Sequence, residues 1–417
     1  MGNKKILVFS DCYLYGGSEK LMGFLLKNEI IIASTTLLFA YRKHKDYEKG
    51  LRNDNLLDRD NNYPLVLLSN ETLYHKINDL AIPKFFRTIF KVPFYGLEKL
   101  NLYSVWNLVA FIILLIKTKP DIIHINNGGY PGAKSCNILV LANYLTIKAK
   151  IIYQVNNQAQ KNENFISYYF DRFVYENVSY FINASIEAKE QLVVQRNFNE
   201  KKILVVDNCV PLVQLKRNRS QICEELKIPE DSFIITQVGF LSDRKGQKFL
   251  IGAVKSLINQ HPKLHEQLFL LLVGNGENEA ILQKIIQESG LNKNVFLLGY
   301  RNDSEDFIAA ADVFVLPSIS NEDMPLVLLT ALGQGKPIIA TDFAGISQVI
   351  QSGKNGILIK NNIVTLVDDL VLQIYSIYID TDLREELSDQ AKISYKKYTP
   401  ENHGLRLKEI YESVYAS

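Results

Sequence analysis

Three short segments carry residues whose types and spacing could do chemistry. The first is Gly239-Phe240-Leu241-Ser242-Asp243-Arg244-Lys245-Gly246, directly after the apolar run Phe233–Val238. Two cations on a loop at the carboxyl end of a strand can neutralise a departing phosphate, although a solvated Arg-Lys pair is the commoner outcome. The second is Asn321-Glu322-Asp323-Met324-Pro325-Leu326, running into Val327–Gly333. Pro325 suits a first helical turn, which places Glu322 just ahead of a helix N-terminus; there it could face a ligand or merely complement the helix dipole. The third is Gly16-Gly17-Ser18-Glu19, between the apolar run Ile6–Phe9 and the helical stretch Lys20–Lys27. Glycines allow close backbone approach, and a helix start offers free N–H groups to a phosphate. The segment fits neither GxGxxG nor a Walker sequence, so alone it reads equally well as an ordinary turn.

The elements that must position these segments follow a strand, turn, helix rhythm. Apolar runs Ile6–Phe9, Leu65–Leu68, Ile122–Ile125, Ile151–Val155 and Phe181–Ile182 form one series. Phe233–Val238, Leu268–Val273, Val295–Leu298, Val313–Leu316, Ile338–Ala340 and Ile357–Ile359 form a second. Continuous rather than alternating runs suit strands buried on both faces of parallel, doubly wound sheets. The charged stretch Leu212–Glu225 separates the series. The expected class is therefore α/β, with two Rossmann-like domains in tandem and ligands at the carboxyl ends of the strands, in a cleft between them.

Composition agrees. The chain has 417 residues, enough for two domains, with 47% hydrophobic and 22% charged residues. Its 47 basic and 45 acidic residues leave a net charge of +2, which argues against a nucleic-acid-coating protein. Cys12, Cys136, Cys209 and Cys223 are widely spaced, so no disulfide framework or zinc module is expected and a reducing cytoplasm fits. Met1-Gly2 lacks the rest of a myristoylation signal, and the apolar run after Lys4-Lys5 is too short for an export signal. Triplets such as Asn70-Glu71-Thr72 carry no meaning without a secretory route. Leu108–Ile116, the longest apolar run, falls short of the ~20 residues that span a bilayer and reads as a core helix. His261 and His265 lack a third ligand, and no metal site is expected.

Taken together, the segments resemble the GT-B glycosyltransferases, specifically the large retaining family four (glycosyl transferases group 1). The resemblance is carried by Gly16–Glu19, Asp121-Ile122-Ile123-His124, Asp207-Asn208, Gly239–Gly246, Val273–Gly276, Leu298-Gly299-Tyr300, Ala311–Ser318, Glu322–Leu332 and Gly335–Gly345. It covers nearly the whole chain and is densest over 233–360. It implies an acceptor-binding domain over 1–207, a nucleotide-sugar-binding domain over 208–397 and a last helix over 398–417 that packs back on the first domain. It also implies retaining sugar transfer from a UDP- or GDP-linked donor, with no metal or resident cofactor, to a glycan or lipid-linked acceptor in cell-envelope polysaccharide synthesis. By the resemblance, Lys245 and Glu322 are catalytic. Gly16, Gly17, Gly239, Arg244, Gly274, Tyr300, Met324, Pro325, Leu326 and Thr330 bind the donor, and His124, Asn126 and Asn157 face the acceptor.

The chain departs from the pattern in four places. Phe240 stands where an Arg is common, with Arg244 as a substitute; Thr330 replaces the second Glu of E-x7-E; Asn156-Asn157 replaces a His; and Gln348 replaces a Glu. These departures keep two alternatives in view: an inactive GT-B binding protein, or another nucleotide-sugar enzyme such as an epimerase. Between Lys84 and Trp106, cations interleave with Phe85, Phe86, Phe90, Phe94, Tyr95 and Tyr103. Such a segment either packs its rings inward or docks peripherally on the inner face of the cytoplasmic membrane.

Overall fold

The computed structural model describes residues 4–58, 60–70, 74, 77–78, 80, 82–99, 102–161 and 165–416. Met1, Gly2, Glu71 and Thr72 and the side chain of Lys99 lie outside the described residues. The chain divides into two units. The first comprises Met1–Ala184, Ala188–Val206 and Gly404–Ser417; the second comprises Ser185–Glu187 and Asp207–His403. The limits expected at 207 and 397 thus fall at 206 and 403.

The first unit holds a seven-stranded, all-parallel sheet. Its strands are β1 (Lys4–Ser10), β2 (Thr35–Arg42), β3 (Asn62–Leu65), β4 (Ile122–Asn127), β5 (Lys150–Val155), β6 (Tyr180–Asn183) and β7 (Ile203–Val205). The spatial order is β3-β2-β1-β4-β5-β6-β7. Two of these strands, β2 and β7, are absent from the sequence reading, and β3 lies earlier than the expected Leu65–Leu68. The second unit has six parallel strands in the order β10-β9-β8-β11-β12-β13. These are β8 (Phe233–Val238), β9 (Leu268–Val273), β10 (Val295–Leu297), β11 (Val313–Leu316), β12 (Ile338–Asp342) and β13 (Ile357–Lys360). Full burial of β9 and β11 follows from their unbroken apolar sequences, while β4 and β8 are equally buried but carry polar residues, His124, Asn126 and Asn127 in the one and Thr236 and Gln237 in the other.

Strand order reverses between β1 and β4 in the first unit and between β8 and β11 in the second. Those switch points are where a doubly wound sheet opens a crevice at its carboxyl edge. All three sequence segments lie there: Gly16–Glu19 after β1, Gly239–Gly246 after β8 and Asn321–Leu326 after β11.

Five helices matter below: α1 (Gly17–Leu26), α2 (Lys84–Lys99), α3 (Leu102–Thr118), α4 (Leu326–Gly333) and α5 (Pro400–Ala416). From α5, Leu407, Ile410, Tyr411 and Val414 enter the core of the first unit with Ile6, Val8, Ile122 and Ile152. At Gly404 a Cβ would collide with the Asn28 side chain, so a glycine is required where α5 joins that core.

His403, at the edge of the second unit, is buried, and its ring donates from Nδ1 to the Asp207 carbonyl at 2.8 Å. Burial lowers its pKa below the ordinary 6.5, only partly offset by that bond and by the Asp207 charge. A depressed histidine pKa stabilises the fold above the unfolded value, and this contribution is lost as pH falls through the folded one. The second unit should therefore melt at progressively lower temperature below pH 6.5. In the His403→Asn variant that slope should flatten; an unchanged slope in a pH series of thermal melts would contradict the assignment.

Candidate active site

The second unit's site is assembled by backbone contacts that only glycine permits. Gly239 donates to the Val273 carbonyl at 2.9 Å, Gly274 to the Gly299 carbonyl at 2.8 Å, and Leu241 to the Asn275 carbonyl at 2.9 Å. The loops after β8, β9 and β10 are thereby laced together. Gly274 has φ +143° and lies against the Gly239 carbonyl, and a Cβ at Gly276 would collide with the Leu241 backbone. Gly246, at φ +70°, sits against the Pro317 carbonyl. Ile319 donates to the Arg244 carbonyl at 2.8 Å, so the turn Asp243–Lys245 is stitched to the chain leaving β11.

That stitching brings together side chains far apart in sequence. Lys245 forms an ion pair with Glu322 Oε1, and both are about 94% buried. Arg244 Nη1 reaches the same Oε1 at 2.8 Å and the Asn321 carbonyl at 3.1 Å. Ser318 Oγ lies 3.4 Å from that oxygen. Lys245 is steered from behind, since its carbonyl accepts from Gln237 Nε2 at 2.8 Å. A side chain at Gly239 would sit against its methylene stem and ammonium. Arg244 thus lies on the Glu322 carboxylate, while Phe240 is half-exposed.

Around this pair the remaining donor-side residues are distributed unevenly. Met324 is buried; its carbonyl accepts from Asn208 Nδ2 at 2.8 Å and its sulfur from the Asn208 N–H at 3.3 Å. Pro325 caps α4 instead of lying in its first turn, with φ −67° and ψ 129°, so the helix starts at Leu326. This is a correction of one position: an extended ψ at Pro325 ends the loop before the helix begins. Thr330 donates its hydroxyl to the Leu326 carbonyl at 3.0 Å, so that proton is spent within α4. Tyr300 is 65% exposed beyond Gly299.

In the first unit, Gly16 precedes α1, and the Glu19 carboxylate accepts from the Gly16 N–H at 3.1 Å and from Ser18 Oγ at 2.8 Å. Burial pushes the Glu19 carboxyl up despite those bonds. Burial, with the Glu19 charge second, pushes the Cys12 thiol up to about 12, which leaves it protonated and inert.

The residues expected to face the acceptor are His124, Asn126 and Asn157. His124 is wholly buried, and both ring nitrogens are engaged: Nδ1 with the Tyr411 hydroxyl at 2.6 Å and Nε2 with Gln154 Oε1 at 2.9 Å. Gln154 Nε2 then donates to Asn156 Oδ1 at 2.9 Å, Asn156 Nδ2 to Asn126 Oδ1 at 2.7 Å, and Asn126 Nδ2 to Ser10 Oγ and the Ser18 carbonyl, each at 3.4 Å. The directions are consistent if His124 is neutral with its proton on Nε2 and accepts from Tyr411, whose own pKa burial raises. His124 and Asn126 are thus members of a buried chain from α5 to the start of α1. Asn157 is half-buried, its Oδ1 accepting from the Gln158 N–H at 2.8 Å. Sequence reasoning missed Gln154 and Tyr411 and singled out Asn156 only as part of a departure from the family pattern. The alternation of polar residues at the end of β5 was the available signal. Among the described residues no cluster of His, Cys, Asp or Glu could hold a metal ion.

Comparison with known proteins defines the class. The structure of Anabaena Alr3699/HepE in complex with UDP aligns with 98% of this chain and all of its own, at a TM-score of 0.73 and 19% identity. The fold is that of the GT-B glycosyltransferases. Residues 218–394 match the model of the family described as Glycosyl transferases group 1. The Escherichia coli UDP-Gal:alpha-D-GlcNAc-diphosphoundecaprenol alpha-1,3-galactosyltransferase is 29% identical over 287 residues, 65% of this chain and 72% of that protein. The Rhizobium meliloti lipopolysaccharide core biosynthesis glycosyltransferase LpsE is 30% identical over 166 residues, 40% of this chain and less than half (45%) of its own length.

The shared carboxylate makes the two sides of the ion pair unequal. Lys245→Ala leaves Glu322 with Arg244 and should cost about 1–3 kcal/mol. Glu322→Ala removes the anion both cations share and should cost more, about 3–5 kcal/mol. Urea unfolding of the two variants measures the order; the reverse order would show that Arg244 does not compensate.

Proposed function

We propose that this protein is a retaining, metal-independent glycosyltransferase that moves a sugar from a nucleotide-sugar to a glycan or lipid-linked acceptor. On this reading the second unit holds the donor and the first the acceptor. The work is done in the cytoplasm, at the inner face of the membrane, in the building of a cell-envelope polysaccharide. The observation that carries the reading is the convergence of Lys245 and Arg244 on Glu322 at the β8/β11 switch point. As the bond from the anomeric carbon to the diphosphate breaks, negative charge grows on the leaving group, and two fixed cations in a dry site stabilise it with little reorganisation. Glu322 holds those cations until the diphosphate displaces it, which leaves its carboxylate beside the donor sugar.

The comparisons favour UDP over GDP, since UDP is bound in the Anabaena structure and is named in the E. coli enzyme. That enzyme's named acceptor, a diphosphoundecaprenol-linked sugar, supports the lipid-linked alternative, and the match to LpsE supports an envelope role.

Thermal shift with UDP- and GDP-sugars tests the donor; a ligand at 100 times its dissociation constant adds about 2.7 kcal/mol of stability. Turnover with the donor so identified should fall by roughly 10²–10³-fold in Lys245→Ala, and wild-type turnover in that variant would refute the reading. Thr330→Glu, which supplies a charged partner for a ribose diol, should tighten nucleotide binding by about 1.5–3 kcal/mol. Unchanged affinity by calorimetry would show that the ribose is held elsewhere.

A further inference from the structure

Helix α3 is apolar on the wrong side. Its inner face is buried through Tyr103, Phe111, Leu114 and Leu115, and also carries Asn107. The Asn107 amide pairs with the Leu68 backbone, accepting from its N–H at 2.8 Å and donating to its carbonyl at 3.0 Å. The outer face carries Leu102, Val105, Trp106, Val109, Ile113 and Ile116, all exposed, with Ile113 at 61%. Spacings of three, four and seven residues put these six on one stripe. The core helix read from Leu108–Ile116 is therefore core on one side only. Neighbouring α2, bonded to α3 through the Tyr103 hydroxyl and the Phe94 carbonyl at 3.0 Å, continues the exposure with Phe85 (71%), Phe86, Ile89, Phe90, Val92 and Tyr95. An apolar surface of this extent marks an interaction site.

We propose that the outer face of α2 and α3 docks on an anionic lipid bilayer. Charge selects this occupant. Over residues 84–118 the sequence has five basic residues (Lys84, Arg87, Lys91, Lys99 and Lys117) and one acidic residue, Glu98. Among those described, Lys84 and Lys117 are exposed. A second copy of the chain, packed symmetrically on the same face, would press one basic cluster against the other. A bilayer with anionic headgroups meets both demands, taking the aromatic and aliphatic side chains at the headgroup boundary and the cations at its surface. Among the described residues no single helix is long and apolar enough to cross a membrane, and the proposed contact lies in the interface. The proposal deepens the reading of a lipid-linked acceptor, because it places the first unit at the surface where such an acceptor resides.

Co-sedimentation of the full chain with vesicles of phosphatidylglycerol and phosphatidylcholine, and of phosphatidylcholine alone, tests it without donor or acceptor. Wild type should pellet with the anionic vesicles, less with the neutral ones, and less again as salt is raised. Lys84→Ala should weaken binding by about fivefold. Val109→Glu/Ile113→Glu should weaken it by about tenfold or more at unchanged melting temperature. Should that variant fail to fold, Phe85→Ser/Phe90→Ser on α2 gives the same reading. Lys245→Ala should pellet like wild type, which separates this proposal from the one about transfer. Wild type remaining in the supernatant with both vesicle types overturns the proposal. So does retention of wild-type binding by the folded outer-face variants, or a dimer in light scattering that these variants abolish while vesicles are not bound.

Discussion

The buried contact between Lys245 and Glu322 constrains the second unit more than any other interaction. Two opposite charges at about 94% burial each carry a desolvation penalty of several kcal/mol, and only their close approach offsets it. The approach depends on backbone, since neither side chain could reach the other unless the turn after β8 lay directly on the chain leaving β11. Gly246 against Pro317 makes that possible, and the Ile319 N–H on the Arg244 carbonyl fixes it. The loops after β9 and β10 then close behind through Gly274 and Gly276. Replacing any of these glycines would move the cations before it touched their chemistry.

The first unit solves a similar problem with neutral groups. Its chain of hydrogen bonds runs from Tyr411 on the last helix through His124, Gln154, Asn156 and Asn126 to the start of α1. A buried polar chain is stable only when each member is satisfied, because an orphaned donor or acceptor in a low-dielectric interior costs as much as the bond it lost. Here each amide donates onward and accepts from behind, which fixes the histidine tautomer and both asparagine orientations. The position of the Gly16-Gly17 turn is thereby tied to α5, nearly four hundred residues further along the chain.

How much of this was legible in the sequence divides along physical lines. The strands of the second unit were readable within a residue or two because each carries a run of at least three apolar residues. In the first unit, β7 is three residues long with a half-exposed end, and β3 contains Pro64. Glu322, Lys245 and Arg244 were legible as chemistry, since charge beside glycine-rich turns after strands is unusual. Their mutual contact was not, because it is made by backbone geometry. The partners of His124 were not legible either: nothing local reveals that Tyr411 and Gln154 will enclose it. For α3, an apolar run reads as core wherever it occurs. Sequence period identifies two apolar faces but not which of them the fold leaves uncovered.

The departures at Phe240 and Thr330 raise the question of whether the site still works, and the energetics of the ion pair bear on it. Replacing a buried salt bridge by apolar residues of similar volume is often neutral or stabilising by 1–4 kcal/mol. A chain that only needed this fold would be as stable, or more so, with two aliphatic side chains where Lys245 and Glu322 now stand. Keeping two charges dry, adding Arg244 to the same oxygen, and committing the surrounding turns to glycine is a costly way to hold two loops together. Such an arrangement is favourable where a third charged group periodically replaces one of the partners, because the desolvation has then been met before that group arrives. Phe240 and Thr330 lie outside this core of three charges. On the proposed reading, their substitution would change how the rest of a nucleotide is gripped and leave intact the part of the site that would face its phosphates.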